Sequence, residues 1–179
     1  IEMSGQSRAL IRLSNGLQIP SLGLGTGMLN SAKAIEHAIA NVGYRHIDAA
    51  AIMQNEKAVG KGIKKAIDSG KVSREDLFVT TKLWHSGYED PEEALEQSLE
   101  KLGLDYIDMY YVHWPNSLFS KAKIPMHEIW QSMESLTWTG KVRSLAVSNF
   151  NLTMTADLLT YAHHKPVANQ ICLNPQCAQ

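Results

Sequence analysis

The chain has 179 residues, a formal net charge of −1 and 20% charged residues. That length can bury a sizeable core and reads as a single domain over 1–179, and the near-neutral balance gives no electrostatic reason to expect nucleic acid or an anionic membrane as partner. No apolar run approaches the roughly 18–20 residues of a membrane span, and Ile1-Glu2-Met3-Ser4-Gly5 lacks the basic-then-apolar layout of a secretory leader.

Leu10 to Pro20 reads as two short strands about Asn15-Gly16, the strongest short-range hairpin signal. This hairpin, placed at 8–20, is expected outside the main sheet, plugging one end of it. A strand at Ser21–Leu24 runs into Gly25-Thr26-Gly27, and a helix follows at Lys33–Val42 with Ile35, Ala38, Ile39 and Val42 on one face and Gly43 as its C-cap. The strand Arg45–Ala50 leads to a helix at Glu56–Asp68, striped by Val59, Ile63 and Ile67 and ended by Gly70. Lys57, Lys61, Lys64 and Lys65 occupy its other faces and read as solvated.

The pattern repeats with a strand at Leu77–Leu83 and a helix at Pro91–Leu102, where Pro starts the first turn and Glu92 and Glu93 suit the helix dipole. A strand at Ile107–His113, a helix at Pro125–Trp138, a strand at Arg143–Ser148, a helix at Leu152–Ala162 and a strand at Val167–Leu173 complete the series. The six strands are near-continuous apolar runs, as when both faces of a sheet are covered. Alternation with five helices implies right-handed βαβ units and a parallel sheet.

Two architectures fit that alternation: an open doubly wound sheet or a closed barrel. The dinucleotide fingerprint G-x-G-x-x-G fails over Gly25-Thr26-Gly27-Met28-Leu29-Asn30. Polar residues instead gather at the C-terminal ends of five strands: Thr26, Asp48, Lys82, His113 and Ser148-Asn149. Chemical groups delivered to one face by many strands are the barrel arrangement. Singly, a strand-end Asp is often a helix cap, a Lys snorkels and a lone His is a satisfied core residue; together at successive strand ends, Asp48, Lys82 and His113 read as a proton-transfer site. Trp84, Trp114 and Phe119 follow the strands and either wall an apolar substrate pocket or pack as ordinary loop aromatics. Ser148-Asn149 also suits a cap for the helix near Leu152, and His163-His164 a solvated helix end. Cys172 and Cys177, a C-x4-C pair, are read as plain thiols rather than metal ligands, and no metal site is expected.

The stretches Ile-Pro-Ser-Leu-Gly-Leu-Gly-Thr (19–26), Gly-Tyr-Arg-His-Ile-Asp-Ala-Ala (43–50), Asn55-Glu56, Thr-Lys-Leu-Trp (81–84), Leu-Asp-Tyr-Ile-Asp-Met-Tyr (104–110), His-Trp-Pro (113–115), Gly-Lys-Val-Arg-Ser (140–144), Val-Ser-Asn-Phe (147–150) and Asn169-Gln170 closely resemble the aldo-keto reductases. The resemblance covers nearly the whole chain, in order. It implies a (β/α)8 TIM barrel, NADPH as cofactor, and hydride transfer to a small-molecule aldehyde or ketone in a cytoplasmic oxidoreductase. By the same resemblance Asp48, Lys82 and His113 match three members of a catalytic tetrad, with Asp48 also at the cofactor. Ser148, Asn149 and Gln170 match the residues holding the nicotinamide carboxamide, and Gly25 and Thr26 match the first cofactor-facing turn.

Two departures stand out. The family places Tyr five residues after the Asp, as the proton donor whose phenol a neighbouring lysinium makes more acidic; this chain has Met53 there, and a thioether has no proton to give. A barrel of this type also takes roughly 250 residues, so the barrel is expected to be incomplete, with six of eight strands over 21–179. The sequence therefore leads to a carbonyl reductase with a weakened or inactive site. The alternative is a catalytically inactive nucleotide-binding or structural barrel subunit.

Overall fold

A computed structural model of the chain describes residues 9–117 and 120–177. The Asn15-Gly16 turn joins β1 (Leu10–Arg12) and β2 (Gln18–Pro20) in an antiparallel pair, with Gly16 at φ 89°, the left-handed conformation such turns demand. A separate parallel sheet of six strands follows: β3 (Gly23–Gly25), β4 (His46–Asp48), β5 (Phe78–Leu83), β6 (Met109–Val112), β7 (Leu145–Ser148) and β8 (Asn169–Gln170), paired in chain order. Between them run α1 (Ala32–His37), α2 (Glu56–Asp68), α3 (Pro91–Leu102), α4 (Met126–Leu136) and α5 (Leu152–Tyr161).

The period of two along each strand sorts side chains to two surfaces. Outward residues such as Ile47, Val79, Leu83, Tyr110, Val112 and Val147 form the main core with Ile35, Val59, Ile63, Leu95, Leu99, Ile129 and Met133 of the helices. Inward residues Phe78, Met109, Tyr111 and Ala146 form a second cluster, and Leu13 and Ile19 of the hairpin pack against it. The hairpin thus covers the interior at the end where β5 and β6 begin. Both surfaces of the central strands β5, β6 and β7 are buried, which explains their near-continuous apolar sequences.

The sheet is curled. Asp48 ends β4 and Gln170 ends β8, with β5, β6 and β7 between them. At about 4.8 Å per strand a flat sheet would hold these residues about 19 Å apart, yet their side chains hydrogen bond at 3.2 Å. Helix packing keeps that curvature close. A Cβ at Gly60 of α2 would lie 2.1 Å from the Leu102 carbonyl of α3, and one at Gly62 would lie 2.6 Å from Ile35 of α1, so both neighbours sit against bare backbone.

Several elements depart from the sequence reading. The helix expected at 33–42 is α only to His37; from Ala38 to Val42 it widens into a π turn, with Gly43 and Tyr44 both donating to the Ala38 carbonyl. The strand expected at 107–113 begins in earnest at Met109, because the Asp108 carboxylate is pulled to the Val79 amide at 2.9 Å and to Arg74 at 2.8 Å. Arg74 and Arg143 then sandwich the Tyr106 ring, each 3.9 Å from its centroid, at the barrel end opposite the strand-end residues. The strand expected at 167–173 is reduced to Asn169–Gln170, which pairs with β7 alone among the described residues. The helix expected at 125–138 gives way to a 3-10 turn at Thr137–Thr139.

Candidate functional site

Asp48 and Lys82 meet at the mouth of the curl. Lys82 Nζ lies 2.7 Å from both carboxylate oxygens of Asp48 and 2.9 Å from the Ala49 carbonyl. An ammonium offers three N–H donors for these three acceptors, and the adjacent carboxylate favours that charged form. Its side chain is 5% exposed, and burial pushes its pKa down while Asp48 pulls it back up. The carboxylate is wired further. Thr80, one layer deeper on the same strand as Lys82, donates its hydroxyl to Asp48 Oδ1 at 2.5 Å, and the Gln170 amide donates to Oδ2 at 3.2 Å. Thr26 donates its hydroxyl to the Asp48 carbonyl at 2.9 Å. Asp48 is thus held through both its backbone and its side chain.

His113 follows β6 beside this pair. Burial first, then the Lys82 charge and His85, lower its pKa to about 4, against the pull of Asp48. The imidazole is therefore neutral at neutral pH. Its Nδ1 is buried and makes no hydrogen bond among the described residues. The Trp84 ring meets it edge-on at 5.1 Å and leans on His85 at 4.5 Å. Tyr88 donates to the Trp114 carbonyl at 2.7 Å, fixing the backbone while the Trp114 side chain stays exposed. Trp84 and Trp114 are thus placed on the His113 side of the mouth. Phe119 lies outside the described residues.

A belt of hydrogen bonds continues round the rim. Ser148 donates its hydroxyl to the Gln170 carbonyl at 2.9 Å, and the Asn149 backbone amide donates to the same oxygen at 3.0 Å. Asn149 takes the left-handed conformation, φ 63°, which Asn tolerates, and donates its side-chain amide to the His113 carbonyl at 2.9 Å. Two acceptors are left over: among the described residues neither Asn149 Oδ1 nor Gln170 Oε1 takes a hydrogen bond. Gly25 opens toward solvent, with nothing within 4 Å of where a Cβ would stand, while the Thr26 side chain is fully buried and committed to Asp48.

Met53 ends a 3-10 turn, Ala51–Met53, on the same rim. It is 44% exposed, and its Sδ and Cε lie over Gly27, 3.7 Å from where a Cβ there would stand. No hydroxyl replaces it on that turn.

Residues to which the sequence reading gave no role complete the site. Thr80 could have been found from the period of two, since it shares Lys82's inward face. Asn55 donates to the Thr26 and Leu29 carbonyls at 2.5 and 3.2 Å and ties α2 to the first strand-end turn. Buried Glu56 takes the Thr81 hydroxyl at 2.7 Å on the outward side. One expectation is corrected. The cap of α5 is Asn151, which accepts from the Met154 amide at 2.9 Å, because Ser148 and Asn149 are spent on the rim. His163 and His164 are exposed just past the end of α5, as expected, while the His164 backbone docks on α4, its amide donating to Glu134 at 2.7 Å and its carbonyl accepting from Trp130 at 3.1 Å.

The sequence profile of the Aldo/keto reductase family matches residues 21–179. The uncharacterized oxidoreductase YtbE of Bacillus subtilis is 40% identical over 99% of this chain and 63% of its own length. The glyoxal reductase of the same bacterium is 41% identical over 94% and 59%. A crystal structure of a Bombyx mori aldo-keto reductase, AKR2E4, in complex with NADP superposes with a TM-score of 0.91 at 42% identity, covering 98% of this chain and 61% of that one. The chain thus spans about three fifths of the length of these relatives.

Proposed function

This chain belongs to the aldo/keto reductase family, and we propose that it carries the Asp48–Lys82–His113 portion of an NADPH-dependent carbonyl reductase site, in a single cytoplasmic domain acting on a small aldehyde or ketone. The observation that carries this reading is the buried Lys82 ammonium, bidentate on Asp48 at 2.7 Å beside a neutral imidazole at the mouth of a curled parallel sheet.

The residues fit the cofactor's amide end. A carboxamide offers two N–H donors, and the free oxygens of Asn149 and Gln170 are the matching acceptors at the rim. Bound there, a nicotinamide supplies the hydride. The chain's own residues handle the charge that develops on the carbonyl oxygen. Neutral His113 donates one N–H and sets the angle of approach, since a group with pKa about 4 carries no spare proton at neutral pH. Lys82 supplies positive potential from a water-poor position, where a fixed charge acts more strongly than in solvent. Asp48 orients Lys82, and Thr80 and Gln170 orient Asp48.

Met53 leaves the oxygen without a positioned phenol, so the proton must come from water. Loss of a positioned general acid costs about 10²–10⁴-fold in rate. The test is aldehyde-dependent oxidation of NADPH by the whole protein and by Met53→Tyr. A gain of two orders of magnitude or more is expected, and no gain at unchanged NADPH affinity would refute the role given to position 53. Met53 also favours a second reading, an inactive barrel retained for nucleotide binding. Quenching of tryptophan fluorescence by NADPH with no turnover on any reactive aldehyde would select it, and ordinary turnover would remove it.

A further inference from the structure

The turn after β8 brings the chain's two cysteines together. Asn174 and Cys177 form a bridge with reciprocal backbone bonds, Asn174 N to Cys177 O at 3.2 Å and Cys177 N to Asn174 O at 2.9 Å. The Asn174 side chain braces it, accepting from the Gln176 amide at 2.9 Å and donating to the Cys172 sulfur at 3.5 Å. The chain therefore doubles back over Cys172, and the Cys177 thiol donates to the Cys172 carbonyl at 3.7 Å. The two thiols also interact side chain to side chain, and that contact with Cys177 is what raises the Cys172 pKa. Cys172 is exposed and Cys177 half-buried, so a small oxidant reaches them. Cys172 stands two residues from Gln170, whose amide holds Asp48.

We infer that Cys172 and Cys177 form a reversible redox pair whose disulfide closes the turn after β8. With a small-molecule disulfide as oxidant the chemistry is balanced in two steps. One protein thiolate attacks a sulfur of the oxidant, forming a mixed disulfide and releasing one small thiol. The second protein thiolate then displaces the other small thiol and forms the internal S–S bond. Both cysteines lose their protons, and the oxidant is reduced to two thiols. A partner thiol on so short a tether has an effective concentration of the order of millimolar, about a thousandfold above that of another protein molecule at micromolar. Internal closure therefore outruns intermolecular cross-linking. In a reducing compartment such a pair stays dithiol until the poise shifts.

The inference does not depend on the carbonyl reductase reading. Its test is to treat the whole protein with oxidised glutathione, then map peptides without reduction. The expected product is one peptide linking Cys172 to Cys177, lighter by two hydrogens and restored by dithiothreitol. In Cys177→Ser the glutathione adduct on Cys172 should persist at least tenfold longer than in the parent, because the resolving thiol is gone. Hydrogen exchange at the Asn174 and Cys177 amides should slow on oxidation. Stable glutathione adducts on both cysteines of the parent protein, or disulfide-linked dimers as the main product, would overturn the pairing.

Discussion

Asp48→Asn removes the one carboxylate that Lys82 contacts among the described residues. The perturbation is nearly isosteric, so its cost reports the polar contacts of the carboxylate, the ion pair foremost with the Thr80 and Gln170 bonds, and not packing. With the Lys82 side chain only 5% exposed, the ammonium cannot recover its hydration, and breaking such a buried pair costs about 3–5 kcal/mol. Proton release sets an upper limit. Stripping the proton from an amine of ordinary pKa costs about 4.6 kcal/mol at about pH 7 and about 1.9 kcal/mol at about pH 9. Burial already holds the Lys82 pKa below its unfolded value, with Asp48 opposing. Between the two values the unfolded chain binds a proton that the folded one lacks, so stability rises with pH through that window. Without Asp48 the window extends to lower pH. Urea unfolding of parent and variant, followed by tryptophan fluorescence, should therefore show a defect of about 3–5 kcal/mol at neutral pH that shrinks by about 2–3 kcal/mol at about pH 9. A defect that is the same at both pH values, or below about 1 kcal/mol at neutral pH, would mean that Lys82 is hydrated and that the pair is not what holds it.

His113 gives the opposite slope. Its folded pKa of about 4 lies under the free imidazole value, so acidification from about pH 6.5 favours the unfolded chain, which takes up the proton. His113→Gln should flatten the loss of urea stability across that range, with His46 and His85, whose pKa values burial also lowers, keeping the remainder; an unchanged slope would refute the assignment. Thr80→Val keeps the shape and deletes the 2.5 Å bond to Asp48. A hydrogen bond to a charged group is worth about 1.5–3 kcal/mol, so a loss in that range is expected by urea titration, and a neutral result would mean that Lys82 and Gln170 suffice to hold the carboxylate.

Much of this molecule is legible from its residues. Apolar strands that alternate with amphipathic helices lead to a parallel βα array, and the strand ends name Asp48, Lys82 and His113 because a strand delivers its last residue to one rim whatever the sheet then does. Asn15-Gly16 announces the hairpin, because few residues other than Gly accept a positive φ. Met53 stands out only through the family resemblance, which places Tyr five residues after the Asp. The element order and the hairpin are local properties, set by backbone sterics and by which side chains water expels.

What the residues do not reveal is which strand ends meet. Gln170 reaches Asp48 only because the twist of the whole sheet accumulates over three intervening strands into a curl. Asn149, in the left-handed conformation, serves as a rim donor to His113 and not as a helix cap. The commitment of the Thr80 hydroxyl to Asp48 and the folding of Cys177 back over Cys172 arise the same way. The sequence by itself determined the element order and the kind of chemistry at each strand end. The wiring of those ends into one buried, fully bonded ion pair was decided by the tertiary structure, because distance across a sheet is a sum of many small twists that no local pattern records.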